Sequence, residues 1–395
     1  METFEELDDW HRELRSHFPI LTDGPDQAYL DSAATAQKPR AVLDTVQHYL
    51  TTANANAGRG TYTWANATTA LVERTRTRVA AFLGDPAPGR PSGVHFTSGT
   101  TEGLRTIARD WLPGHLRDGD EIIVPFADHQ ANLLPWLEAQ QQLAGQGVRI
   151  RVRELPYDPA SHDYDHRALP ALVTGRTAFV AATHVHHVYG GDMNVHRIRA
   201  AVGPDVPICL DAAQSVGHLP VDVGGLDVDF VVFSGHKAMA LPGTGAVWAR
   251  NTRGAAFRPG GWSGTPNTCG IASLEAALDW LDAAGTDRIR RWTTALAGRL
   301  TDGLRGCAAY RILGCQQSLA ADSTVQRREG IVTFRHRAIP SNDLGFVLAS
   351  HGLMVRADGH CQGRAGESES SVRVSLHAYN SPAEIDRLLA VLRSL

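Results

Sequence analysis

Between about residues 75 and 250, short apolar runs alternate with longer segments whose apolar residues recur at helical spacing. The runs at 94–96, 121–124, 148–152, 177–182, 206–210, 230–233 and 245–249 have strand length. The stretches at 67–83, 102–111 and 132–144 predict helices between them. Strands separated by helices are the signature of βαβ units, so the pattern predicts an α/β large domain. Its centre is a mostly parallel seven-stranded sheet covered on both faces. The rhythm changes after Pro259-Gly260-Gly261. Helical stretches at 271–284 and 287–304 come first, followed by strand-like runs at 330–334, 353–356 and 371–376 and a last helix over 382–392. The polar segment 316–329 reads as a loop. This half predicts a smaller α+β domain. The chain thus divides into an N-terminal segment 1–30 packing with the small domain, a large domain 31–265 and a small domain 266–395.

Composition agrees with that plan. A chain of 395 residues exceeds one typical core, and 43% hydrophobic with 20% charged residues can fill a large one. A formal charge of −4 provides no basic field for nucleic acid. The first twenty residues are polar and acidic, without the basic and apolar regions of a signal peptide. No apolar run approaches the roughly 20 residues that span a bilayer. The five cysteines are odd in number and irregularly spaced, with no CxxC pair, which disfavours a disulfide framework or a zinc site. A cytoplasmic, reducing location is expected.

Ligands of parallel sheets bind outside the carboxyl ends of the strands, and the chemically distinctive residues fall there. Asp211 follows the run at 207–210, with Gln214 three residues on; Lys237 follows the run at 230–233 through Ser234-Gly235-His236. A lysine able to form an imine and a carboxylate able to keep a pyridine nitrogen protonated are what pyridoxal phosphate (PLP) chemistry requires. Thr97-Ser98-Gly99-Thr100-Thr101-Glu102-Gly103 turns from a strand into a helix and offers N–H groups and hydroxyls to a phosphate. His129, past the strand 121–124, can stack on a flat ring. Arg373 alternates with apolar neighbours in Val372-Arg373-Val374, so it points away from their face and can clamp a carboxylate. Cys361 stands on a Gly-containing loop, where Arg356 and His360 can favour its thiolate. Each also has an ordinary reading: an N-cap, a loop histidine, a surface arginine, a small loop hydrophobe. These residues alone leave both open. In Thr183-His184-Val185-His186-His187, strand alternation puts His184 and His186 on one face and His187 on the other. No cysteine or carboxylate completes a metal shell there, and no metal is expected.

Taken together, the chain resembles the class V (fold type I) PLP-dependent enzymes, specifically the group II, selenocysteine-lyase-like cysteine desulfurases. The resemblance runs over nearly the whole chain. It includes Tyr29 to Pro39, Arg59-Gly60-Thr61-Tyr62, Phe96 to Glu102, His129 with Ala131-Asn132 and Pro135-Trp136, Asp211-Ala212-Ala213-Gln214, Ser234 to Lys237, Gly264 to Thr268, Arg356 to Cys361 and Arg373 to Leu376. The resemblance implies that Lys237 forms the imine with PLP, Asp211 pairs with the pyridine nitrogen and Gln214 bonds the phenolic oxygen. It makes His129 the stacking and proton-transfer residue. Thr100, Thr101, Ser234 and His236 hold the phosphate, joined by Thr265 from the partner of a homodimer. Arg373 binds the substrate carboxylate, with Ala34, His187 and Arg356 lining the substrate site, and Cys361 takes the sulfur of L-cysteine as a persulfide for an acceptor protein.

Four positions depart from the family pattern. His187 replaces a usual asparagine, Gly58 a common histidine, the segment 250–264 is short, and 362–367 is compressed and lacks a proline. They leave open another class V activity (C–S β-lyase, epimerase or aminotransferase) and, more remotely, a PLP-binding protein without turnover.

Overall fold

The structure is a computed structural model and describes residues 4–22, 27–85, 93–250, 257, 264–315, 327–362 and 370–395. The turn expected at 259–261 and most of the loop 316–329 lie outside the described residues, as do most of the segments 250–264 and 362–367.

The large sheet has the seven expected strands: β1 (Val94–Thr97), β2 (Glu121–Val124), β3 (Arg151–Glu154), β4 (Thr177–Thr183), β5 (Ile208–Asp211), β6 (Phe230–Ser234) and β7 (Gly245–Ala249). Their order is β1-β7-β6-β5-β4-β2-β3. The pairs from β6 through β3 are parallel, and β7 runs antiparallel to β6 and β1. Side chains alternate across the sheet with a period of two. Val180, Ala182, Ile208, Leu210, Val231 and Phe233 enter one core; Phe179, Ala181, Cys209, Phe230 and Val232 enter the other. Helices Thr63–Phe82, Val195–Val202 and Thr268–Ala284 close the first core. Helix Thr100–Thr106, its π-helical continuation Ile107–Trp111 and helix Leu134–Gly145 close the second. Each large apolar side chain so buried contributes about 1.5–3 kcal/mol.

Strand β3 starts later than the apolar run at 148–152 suggests. Ile150 is a buried member of the second core and Val148 packs against it, while pairing with β2 begins at Glu121 opposite Arg151, on a polar edge. The run at 353–356 also divides. Leu353–Met354 pairs in parallel with Ala28–Tyr29, whereas Arg356–Asp358 joins a four-stranded antiparallel sheet. That sheet has the order Tyr310–Leu313, Ile331–His336, Ser371–Ser375, Arg356–Asp358. Val332, Phe334, Val372, Val374, Trp292, Leu296 and Leu388 form its core.

Leu7 and Leu30 of the N-terminal segment join the small-domain core, and His11 stacks on Trp292 at 4.6 Å. Leu14 and Phe18 of the same segment enter the large core, so it ties the two together. Past the boundary expected at 265/266, the chain still contributes to the large core. Helix Thr268–Ala284 packs on helices Arg40–Thr52 and Thr63–Phe82, and its Leu274, Leu278 and Leu281 belong to the large core, as does Ile289 beyond it. The small core begins with Trp292. The change of core falls within helix Thr286–Arg305, whose Ile289 still belongs to the large core and whose Trp292 belongs to the small one. Among the described residues no helix is long and apolar enough to cross a membrane.

Candidate active site

Strands β5 and β6 are parallel neighbours, with Asp211 registered to Val232, so their carboxyl ends bring Asp211 and the Gly235–Lys237 turn side by side. Asp211 is 6% exposed, and its Oδ1 accepts the Ala213 N–H at 2.9 Å. Burial lifts its pKa to about 6, against the lowering effects of that bond and of Lys237. Burial also lowers the pKa of Lys237 to about 8, although Asp211 pulls it upward. A lysine with that pKa offers a substantial neutral fraction of a nucleophilic amine in mildly alkaline solution. Gln214 is fixed beside them by donating from Nε2 to the Ala33 carbonyl at 2.9 Å.

Above the end of β6, the Thr100 N–H donates to Ser234 Oγ at 2.9 Å, and the two hydroxyls lie 2.8 Å apart. Gly103 lets this helix seat on the sheet: a Cβ there would overlap Val232 Cγ1 and lie 2.9 Å from Val247 Cγ2. Thr101 is exposed and His236 half-buried at the same end, and burial lowers the His236 pKa to about 4. Thr265 is exposed. Its neighbours Gly264 and Pro266 line a cleft of about 350 Å³ together with Asn56, Gly58 and Arg59.

His129 Nδ1 accepts the Ala131 N–H at 3.1 Å, so the neutral ring carries its hydrogen on Nε2. Burial holds its pKa at about 4, and Lys237, Arg356 and Arg373 act in the same direction. Beneath it Asp128, fully buried, accepts from Tyr164 Oη and lies 3.7 Å from His186 Nε2. Neither Asp128 nor Tyr164 was expected in the site. Asp128 stands directly before His129, but Tyr164 lies in a polar segment without an apolar run to mark it. The face alternation expected for His184 to His187 does not occur, because β4 ends at Thr183. His186 and His187 stack at 5.0 Å and 20°, while His184 lines a separate cavity with Asp192 and Arg290. Among the described residues no group of histidine, cysteine and carboxylate side chains is arranged to hold a metal.

Arg373 is only 1% exposed. It donates from Nη2 to Asp31 Oδ1 at 2.9 Å and from Nη1 to the His187 carbonyl at 3.0 Å. Its Nε is buried without a partner. Burial lowers its pKa and Asp31 opposes that shift. The Asp31 carbonyl accepts the Ala34 N–H at 3.1 Å, so the half-buried Ala34 turn is fixed to the same arginine. Cys361 is exposed, and Arg356, bonded to Asp358, also donates from Nη2 to its Sγ at 3.4 Å. His360 does not assist the thiol as expected. Its ring turns inward, Nε2 bonding Ser371 and Nδ1 facing Asp358 at 3.1 Å, and burial lowers its pKa. His360 and Cys361 are both left-handed, with φ of 57° and 59°. This costs about 1–2 kcal/mol for each non-glycine residue and needs holding contacts.

These residues fit PLP. Asp211 is a buried carboxylate at the strand ends, able to pair with a protonated pyridine nitrogen. The hydroxyls and N–H groups at the Thr100 turn suit a phosphate, and Lys237 suits an aldehyde. Without PLP, Asp211 has a folded pKa near 6 against 3.8 unfolded. The folded protein therefore holds the extra proton between those values, and stability falls as pH rises through that window. Asp211→Asn is accordingly expected to raise the melting temperature of the PLP-free protein by a few degrees at pH 7.5, reflecting a penalty on the order of 3 kcal/mol. The gain should vanish near pH 3.5, and thermal scans at the two pH values check it. In the PLP-loaded protein the same change should slow turnover roughly 10²-fold.

The family model for aminotransferase class V matches residues 28–388. A cysteine desulfurase of Cronobacter sakazakii is 34% identical, over 96% of this chain and 97% of its own. The cysteine desulfurase CsdA of Escherichia coli is 32% identical, over 97% of each chain. A crystal structure of the Escherichia coli CsdA in its S-sulfonic acid form superposes with a TM-score of 0.82 at 30% identity, covering 97% of this chain and 98% of that one. The chain is therefore a member of the class V aminotransferase family and, within it, of the PLP-dependent cysteine desulfurases.

Proposed function

We propose that this protein removes sulfur from L-cysteine, takes it on Cys361 as a persulfide and releases alanine. The observation that carries this reading is the exposed Cys361 thiol, bonded to Arg356 at 3.4 Å on the strand pair that also presents Arg373. When bound, PLP supplies the electron sink that weakens bonds of the attached amino acid. Arg373 receives the substrate carboxylate, oriented by Asp31. The amine of Lys237 moves protons at the substrate Cα, and His129 offers its Nε2 hydrogen beside it. The Cys361 thiolate attacks the substrate sulfur, so an S–S bond forms and the Cβ–S bond breaks. The electron pair stays with carbon, which takes a proton to give alanine.

Incubation of the purified protein with L-cysteine should yield alanine and protein-bound persulfide in equal amounts. Pyruvate with free sulfide, a keto acid, or inverted amino acid would place the enzyme in another class V activity. No spectral change with any amino acid would favour a protein without turnover.

The working unit in this reading is a homodimer that passes sulfur to an acceptor protein in the cytoplasm. Its support is the exposed Thr265 beside the cleft at Asn56, Gly58 and Arg59, with Tyr62 and Trp64 each 57% exposed nearby in the chain. Dilution should weaken PLP retention as dimers separate; a fully active monomer would rule the dimer out.

A further inference from the structure

We infer that His187 is a positioning residue that latches the sulfur-accepting loop to the substrate-binding wall. This rests on Cys361 being the sulfur acceptor, as proposed above. The His187 ring is buried between His129, edge-on at 5.1 Å, and His186, stacked at 5.0 Å. Its Nε2 lies 2.9 Å from the His360 carbonyl. A carbonyl only accepts, so Nε2 carries the hydrogen and donates it to the residue directly before Cys361. Burial pushes the His187 pKa well down, with His186, His129, Arg373 and Lys237 adding to the effect, so the ring is neutral and held in that single tautomer. Its Nδ1 is buried without a partner.

Residue 187 works in two directions. Its main-chain carbonyl accepts from Arg373 Nη1 at 3.0 Å, and its side chain holds the loop. The loop needs such holding, because His360 and Cys361 are consecutive left-handed non-glycine residues. Further contacts come from Gln130 and from Asp358 at the start of the loop. The Gln130 N–H donates to the Cys361 carbonyl at 3.2 Å, and Gln130 Nε2 donates to the Gln362 carbonyl at 3.2 Å. Asp358 Oδ1 accepts the His360 N–H at 2.6 Å. His360 Nε2 also ties the loop to Ser371 on the strand of Arg373. His187 adds a bond from the residue whose own carbonyl holds the Arg373 guanidinium, and so sets the sulfur acceptor in register with the bound substrate.

The test compares PLP-loaded His187→Phe, which keeps a flat ring but lacks the donor, with His187→Gln, whose amide nitrogen reaches to a similar distance. In His187→Phe, hydrogen exchange at the Gln130 and His360 amides should quicken about fivefold, the effect of losing one neutral hydrogen bond. The kcat for alanine should fall by at least the same factor, while KM for L-cysteine stays within about twofold, because the main-chain bond to Arg373 remains. His187→Gln should bring exchange back to within about twofold of the parent. Unchanged exchange in His187→Phe would overturn the latch, as would a raised KM with kcat intact. If His187→Phe does not fold, His187→Asn, whose amide is too short, takes its place against His187→Gln; equal exchange in those two would overturn it as well. Exchange is read without turnover, so a parent protein that makes no alanine would sink the desulfurase reading and leave the latch separately tested.

Discussion

Replacing Lys237 by alanine is expected to lower alanine production from L-cysteine by roughly 10⁴-fold or more, the largest effect of any single change in this protein. In the proposed reaction Lys237 combines two tasks, covalent attachment of the cofactor and proton movement at the substrate Cα, and no other residue is assigned both. The sequence makes the test unusually clean, because the chain contains only two lysines, Lys38 and Lys237. Both have pKa values lowered to about 8 by burial. Lys38, however, donates to Thr35 Oγ1 at 3.1 Å and to the Ala36 carbonyl, and faces no carboxylate comparable to Asp211. Borohydride treatment of the yellow parent protein should therefore fix the cofactor to the peptide containing Lys237. Labelling at Lys38, or full activity in Lys237→Ala, would overturn the assignment.

Cys361→Ala is expected to retain PLP and its response to added L-cysteine, yet lose alanine and persulfide formation by roughly 10³-fold or more, as removal of a nucleophile does. Rescue by another cysteine is not expected. Cys209 is wholly buried in the sheet, where burial also raises its thiol pKa, and Cys269, Cys307 and Cys315 are half-buried elsewhere. Arg356 is the side chain that bonds the Cys361 sulfur. If Cys361→Ala turned over L-cysteine at the parent rate, the thiol would not be the sulfur acceptor, and the lyase, epimerase and aminotransferase readings would move forward.

The strands of the large sheet other than β3, whose polar edge run begins later than the apolar run at 148–152, and the positions of Asp211 and Lys237 were legible in the chain because each depends on near neighbours in sequence. An apolar run of strand length, buried on both faces, marks itself, and the residue directly after it lies at the carboxyl end of the sheet. The position of Arg373 was legible for a related reason: alternation with Val372 and Val374 puts it on the face opposite the small-domain core. Composition and periodicity said nothing, by contrast, about what Arg373 would meet there. Its carboxylate partner Asp31 is 342 positions away, and the carbonyl it holds belongs to His187, 186 positions away. The inward turn of His360, the stacking of His186 on His187, the Asp128–Tyr164 bond and the splitting of the run at 353–356 were equally hidden. Each is settled by which strand a segment pairs with and which loop packs over it. By itself, the sequence determined which residues stand at the strand ends and what chemistry they offer. Only the tertiary structure decided which of them touch, because contacts between distant segments are chosen by the packing of whole elements, and local spacing carries no record of that choice.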